Sequence, residues 1–352
     1  MKMNGPIFLV CLLCMASPFS VFAQQPAGVG ERQVTFKGAN GASLRGTFQF
    51  PAETSNSKVP ALLLLAGSGP TDRDGNQPPA MMTNLLKQIA QALANKGIAS
   101  LRYDKRGMDA NAAELPKQLS QYGEFFTWEN FVGDAAAAYR LLREQPEVDP
   151  ARVGILGHSE GGILALDSAG ALRAEAPPAV LILVSTPGRS MEAVITDQLR
   201  SLLKRQGATP EQTDFYLAAN HRISGVIQTT GQVPLDVPAG LAALYPGYLG
   251  KFLKSELAID PCKLAAEFPG PILIMNGEQD TQVSPKLDAS ALDSALKKRP
   301  IDDHSLVIVP NASHNLKIIK APDDAGVTGD VSPDALDKLG AWAVTKLGHG
   351  SQ

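Results

Sequence analysis

Gly157-His158-Ser159-Glu160-Gly161-Gly162 is the stretch on which the reading of this chain turns. It follows a continuous apolar run, 153–156, and precedes a stretch of helix-forming composition, 163–174. A bare G-x-S-x-G arises often by chance. Set between a strand and a helix it has a mechanical meaning. Gly157 and Gly161 let the chain reverse tightly, so Ser159 is held up at the end of a sheet. The helix that starts there aims its first N–H groups toward developing negative charge.

On either side of this turn, strand and helix patterns alternate. Two short strand-like runs, 33–37 and 43–50, flank the turn residues Gly38-Ala39-Asn40-Gly41 and read as an antiparallel hairpin. Residues 59–66 are continuously apolar, as in a strand buried on both faces. Residues 84–94 have helical spacing, 98–103 form the next strand and 128–143 the next helix. Strands follow at 152–156, 179–185, 271–275 and 305–309, with helices at 287–298 and 333–347. Repeated β-α alternation predicts an α/β fold with a mostly parallel central sheet flanked by helices.

The rhythm breaks at 187–268, which is rich in helix formers and divided by Pro234, Pro238, Pro246 and Pro261. A long structureless loop is uncommon in a compact domain. The expectation is a helical lid inserted between two parts of one core, 33–186 and 269–347, with an apolar lining drawn from its Leu, Ala and Tyr side chains. Ordinary surface loops are the alternative.

With 352 residues, 44% hydrophobic and 19% charged, the chain can build a sizeable core. A net charge of −3 provides no basic field for nucleic acid. The first residues resemble a secretory signal, expected to span 1–23. Lys2 supplies the positive end, 7–22 is mostly apolar, and Val21-Phe22-Ala23 resembles a cleavage site. Pro18 and the shortness of the run disfavour an uncleaved membrane anchor. Cleavage near Ala23 would remove Cys11 and Cys14 and leave Cys262 alone, so no intrachain disulfide is expected in the periplasmic or secreted protein.

A nucleophilic serine needs a base. Of the five histidines, His158 lies inside the turn and should diverge from Ser159. His221 falls in the predicted lid, His304 should be a surface residue, and His349 is in a Gly-rich tail. His314 stands in Pro310-Asn311-Ala312-Ser313-His314-Asn315, directly after a strand and at the same sheet end as Ser159. Asp280, in Asn276-Gly277-Glu278-Gln279-Asp280, is the natural carboxylate partner, with Glu278 as its competitor. Such a carboxylate fixes the histidine tautomer and stabilises the imidazolium. The backbone N–H of Glu160, after the nucleophile, is one expected oxyanion donor. The second is expected at Ser68, in Gly67-Ser68-Gly69-Pro70. Thr71-Asp72-Arg73-Asp74-Gly75-Asn76 and Tyr103-Asp104-Lys105-Arg106-Gly107 either touch substrate or, as the favoured reading, form an ion-pair network at the sheet rim. Asp72 and Asp74 lack companions at metal-ligand spacing, and nothing resembles a nucleotide phosphate loop. No metal and no organic cofactor are expected.

Together these stretches resemble the α/β-hydrolase superfamily, and most of all exported bacterial hydrolases grouped with dienelactone-hydrolase-like and serine-aminopeptidase-like proteins. The resemblance rests on 65–74, 101–107, 146–150, 157–162, 277–280 and Ser313-His314, and it spans 34–347. It implies the α/β-hydrolase fold, the order Ser159, Asp280, His314, with Asp280 favoured over Glu278, and hydrolysis of carboxylic esters. Many members carry His-Gly where this chain has Ala66-Gly67, which leaves the substrate class open. Ser159 argues against dehalogenase or epoxide-hydrolase chemistry, for which the resembling families use Asp. The first reading is an exported serine hydrolase acting on small-molecule esters of small to medium acyl groups, with no nucleic acid partner and no stable membrane insertion once the signal is gone. A prolyl- or aminopeptidase using the same residues, and a non-catalytic binding protein on this scaffold, are the competing readings.

Overall fold

The computed structural model describes residues 28–51, 57–301, 303–321 and 324–348; the predicted signal segment with its cleavage site near Ala23, and His349, lie outside them. Eight strands form one sheet: β1 (Val29–Lys37), β2 (Ser43–Pro51), β3 (Val59–Leu65), β4 (Ala99–Tyr103), β5 (Val148–His158), β6 (Leu181–Val184), β7 (Ile272–Gly277) and β8 (His304–Val309). Their spatial order is β1-β2-β4-β3-β5-β6-β7-β8. β1 pairs antiparallel with β2, and β2 with β4. Every later pairing is parallel.

Period-two alternation divides the core between the two faces. Leu63, Leu65, Ile155, Leu181, Leu183, Ile272 and Ile274 point to one side, where they meet α3 (Trp128–Arg143) and α4 (Glu160–Leu172). Leu62, Leu64, Leu156, Ile182, Val184, Leu273 and Met275 point to the other, beneath α1 (Leu85–Ala94) and α10 (Pro333–Gly348). This double burial explains why the central strands read as unbroken apolar runs.

Two stretches depart from the expected pattern. Residues 109–125 hold short turns ending in α2 (Tyr122–Phe125). Its aromatic rings pack with Phe126 and Tyr248. The helix expected at 287–298 is a π-turn, Pro285–Ala289, running into α9 (Ser290–Leu296). The buried Asp288 carboxylate there accepts from the N–H groups of Ser284, Gly188 and Arg189 and pairs with the Arg189 guanidinium.

Between β6 and β7 the chain forms α5 (Met191–Arg205), α6 (Pro210–Thr230), α7 (Gly250–Leu257) and α8 (Pro261–Glu267). α6 starts with Pro210 at its first position and a reciprocal Thr209–Gln212 capping box, and stops at Gly231.

Candidate active site

β5 ends and α4 begins at Ser159, whose backbone sits at φ 55°, ψ −126°. This region is sparsely populated for an L-residue and costs of order 1–3 kcal/mol. Close packing maintains it. The Ser159 N–H donates to Val184 O at 2.8 Å. A Cβ on Gly157 would lie 2.0 Å from Gly161 O, and one on Gly161 would lie 2.5 Å from Leu65 O. Both glycines are therefore required by space.

His314 follows β8, and its Nδ1 lies 2.8 Å from Asp280 Oδ2. Asp280 follows β7, and its Oδ1 accepts from the N–H groups of Gln282 and Val283 at 2.8 and 2.9 Å. Burial by itself would raise the Asp280 pKa. The charge and hydrogen bond of His314 and the two backbone donors outweigh it and hold the carboxyl below its ordinary value. An ionised carboxylate only accepts hydrogen bonds, so Nδ1 carries the His314 proton and Nε2 is left as the basic nitrogen. Glu278, the competitor, instead accepts from Asn311 N at 2.9 Å.

The turn after β3 closes the site. A Cβ on Gly67 would stand 3.2 Å from Ser159 Cβ, so this backbone lies against the serine. Ser68, Ser159 and His314 line one cleft of about 100 Å³ with Thr71, Gln77, Gln198, Gln282 and Asn315. Among the described residues no Asp, Glu, Lys or Arg lines it. The apolar lining expected from 187–268 is not what this cleft has. That segment contributes Gln198, while its Leu199, Ile223, Ile227 and Tyr245 are spent in packing.

The two polar stretches form ion pairs at the sheet rim, as the favoured reading held. Arg73 pairs with Asp104 at 2.5 Å, Arg102 with Asp74 at 2.7 Å and Arg106 with Asp134 at 2.7 Å. Lys105 is different: it is buried and turned inward, with Nζ on Gly67 O.

One histidine expectation needs correction, and another histidine has a partner that its spacing did not show. The His304 side chain is only 5% exposed, because it packs under α9 and bonds Asp293 there. His158 does leave Ser159, but it does not leave the site. Its Nε2 lies 3.1 Å from His314 O and its ring 4.7 Å from the His314 ring. Burial first, then the neighbouring His314, push its pKa down to about 3. A neutral imidazole facing a carbonyl must carry its proton on Nε2, so His158 holds the His314 backbone. Nothing in the spacing announced this, since the two residues are far apart in sequence. His221, on α6, is exposed and bonds Glu192 at 2.6 Å.

A serine on a strained strand-to-helix turn shares a cleft with a histidine bonded to a carboxylate, all at the ends of parallel strands, an arrangement found on hydrolase scaffolds. Residues 62–324 match the Alpha/beta hydrolase family, and the chain belongs to it. The chain is 27% identical over 331 residues to "Esterase EstD" of Thermotoga maritima, covering 91% of this chain and 68% of that one. Among solved structures it resembles Est1E from Butyrivibrio proteoclasticus, with TM-score 0.55 and 16% identity over 90% of this chain and 99% of that one. It also resembles the alpha/beta hydrolase GrgF from Penicillium sp. sh18, with TM-score 0.55 and 18% identity over 91% and 100% of the two chains. At such identities these two share the fold alone.

Proposed function

We propose that this protein is an exported serine hydrolase that cleaves carboxylic esters of short acyl groups. The observation that carries this reading is the shared cleft of Ser159 and His314, with His314 Nδ1 on Asp280. Ser159 Oγ attacks the acyl carbon while His314 Nε2 takes its proton. The N–H groups of Ser68 and Glu160 stabilise the oxyanion; losing one such donor typically costs about 2.7–4 kcal/mol. The alcohol leaves with the proton from His314. Water, deprotonated by His314, then hydrolyses the acyl-enzyme and restores Ser159.

Similarity to a protein named as an esterase supports the bond type. The small, uncharged, amide-rich cleft supports a short acyl group on a neutral polar alcohol. Among the described residues it offers no carboxylate to anchor a peptide amine, which disfavours the aminopeptidase reading. Export rests on the N-terminal pattern alone. Among the described residues no helix is long and apolar enough to cross a membrane.

The test is hydrolysis of p-nitrophenyl esters over a chain-length series. Activity is expected to peak at short acyl chains, and Ser159→Ala should lower kcat by about 10⁶. Well-folded protein that neither hydrolyses these esters nor reacts at Ser159 with a fluorophosphonate would overturn the proposal.

A further inference from the structure

Lys105 follows β4 and is 6% exposed. Its Nζ reaches Gly67 O at 2.5 Å and Glu160 Oε1 at 3.1 Å. These two acceptors belong to the two halves of the proposed oxyanion hole, which come from separate segments of the chain: the turn after β3 and the first residue of α4. Among the described residues, neither the Ser68 N–H nor the Glu160 N–H has a backbone acceptor.

The peptide joining Gly67 to Ser68 is planar, and in a trans peptide its C=O and N–H point in opposite directions. Drawing Gly67 O toward an ammonium therefore aims the Ser68 N–H the other way, in a turn whose Gly67 lies against Ser159. A charged donor on the carbonyl also polarises the same peptide and strengthens its N–H as a donor. The bond to the Glu160 side chain ties this turn to the residue that carries the second donor.

A third group completes the arrangement. Glu256, on α7, is 3% exposed; it contacts the Glu160 carboxyl, and its Oε1 has no hydrogen-bond partner. Burial first, then the charge of Glu160 and the hydrogen bond to it, push its pKa well up. Lys105 and the Tyr245 hydroxyl are the other titratable groups whose charge bears on Glu256. The Glu129 carboxylate of α3 bonds the neighbouring Ser255 instead.

We propose that Lys105 is a positioning residue for ester hydrolysis, a buried strut that holds the Gly67–Ser68 peptide and Glu160 in register so that their two N–H groups converge on one oxyanion. This rests on the serine-hydrolase reading above. Lys105 touches no reacting atom.

The experiment compares wild type, Lys105→Met and the double variant Lys105→Met/Glu160→Gln. The double variant removes both charges of the pair, so it folds without a stranded carboxylate, and it keeps the backbone donor of residue 160. Three quantities are read: kcat per active site titrated with fluorophosphonate, KM for p-nitrophenyl acetate, and Ki for a trifluoromethyl ketone, which places an oxyanion in the hole. Both variants are expected to lose about tenfold or more in kcat and to bind the ketone correspondingly weaker, with KM within about twofold of wild type. Tm should recover in the double variant while kcat does not. Wild-type kcat and Ki in the double variant would overturn the strut, because neutralising the pair would then suffice. A wild-type protein that is inactive, or as active as Ser159→Ala, would instead overturn the serine-hydrolase reading.

Discussion

Asp280 is a buried carboxylate whose contacts bear on stability and, in the proposed mechanism, on chemistry. It is 7% exposed, yet two backbone N–H groups and His314 hold its pKa below the ordinary value of a carboxyl. A carboxyl with a depressed folded-state pKa contributes stability that is fully present above its unfolded value, about 3.9, and is lost as pH falls through the folded value. Asp280→Asn should therefore flatten the acid limb of a urea-unfolding titration run from pH 6 downward. The same substitution should lower ester kcat by about 10³–10⁴, because an amide can bond Nδ1 in the wrong tautomer. An unchanged kcat would remove Asp280 from the mechanism.

Among the elements, the β5–α4 connection is the most demanding. The Cβ of Gly161→Ala would stand 2.5 Å from Leu65 O and 2.7 Å from Ala66 O, both backbone atoms that cannot step aside. A loss of about 3 kcal/mol or more is expected, together with the loss of activity. Gly170, on the same helix, meets nothing within 4 Å of an added Cβ. Gly170→Ala should leave activity intact and add up to about 1 kcal/mol, since Gly is the poorer helix residue. Chemical denaturation of the two variants side by side separates a helix-propensity effect from the steric demand of the turn. Equal effects would contradict this account.

For the molecule as a whole, the question is how the helical segment between β6 and β7 is held to the sheet. Trp128 and Phe131 of α3 pack edge-on against Phe252 of α7. At the other end the fully buried Asp288 takes the Arg189 guanidinium through Nε at 3.1 Å and Nη2 at 3.0 Å. Removing one partner of such a pair strands the other and costs about 3–5 kcal/mol when both are buried; Arg189 is partly exposed, so the lower end applies. Asp288→Ala should accelerate limited proteolysis within 187–268 before the sheet unfolds. Simultaneous loss of both parts would show that the segment and the sheet form a single cooperative unit.

Much of the sheet was legible because its strands are buried on both faces, which writes them into the sequence as unbroken runs such as 61–65. That Ser159, Asp280 and His314 lie near one another was legible because each follows a strand, and parallel strands end on one edge. What escaped notice was which distant groups His158 and Lys105 meet. His158 bonds His314 across 156 positions, and Lys105 meets Glu160 across 55. The His304 expectation failed for the same reason: polar neighbours in sequence said nothing of the helix that covers it.

What the sequence by itself determined is the alternation of elements, the glycine-bounded turn at Ser159 and the chain order of the three proposed site residues. These follow from local sterics and hydrophobic periodicity, which act over a few residues. Only the tertiary structure decided that Asp280 and not Glu278 meets His314, that the cleft is lined by amides, and that Lys105 turns inward to Gly67 O. Hydrogen bonds and charge pairs act across angstroms of space, and no local pattern says which distant groups the fold will bring within that range.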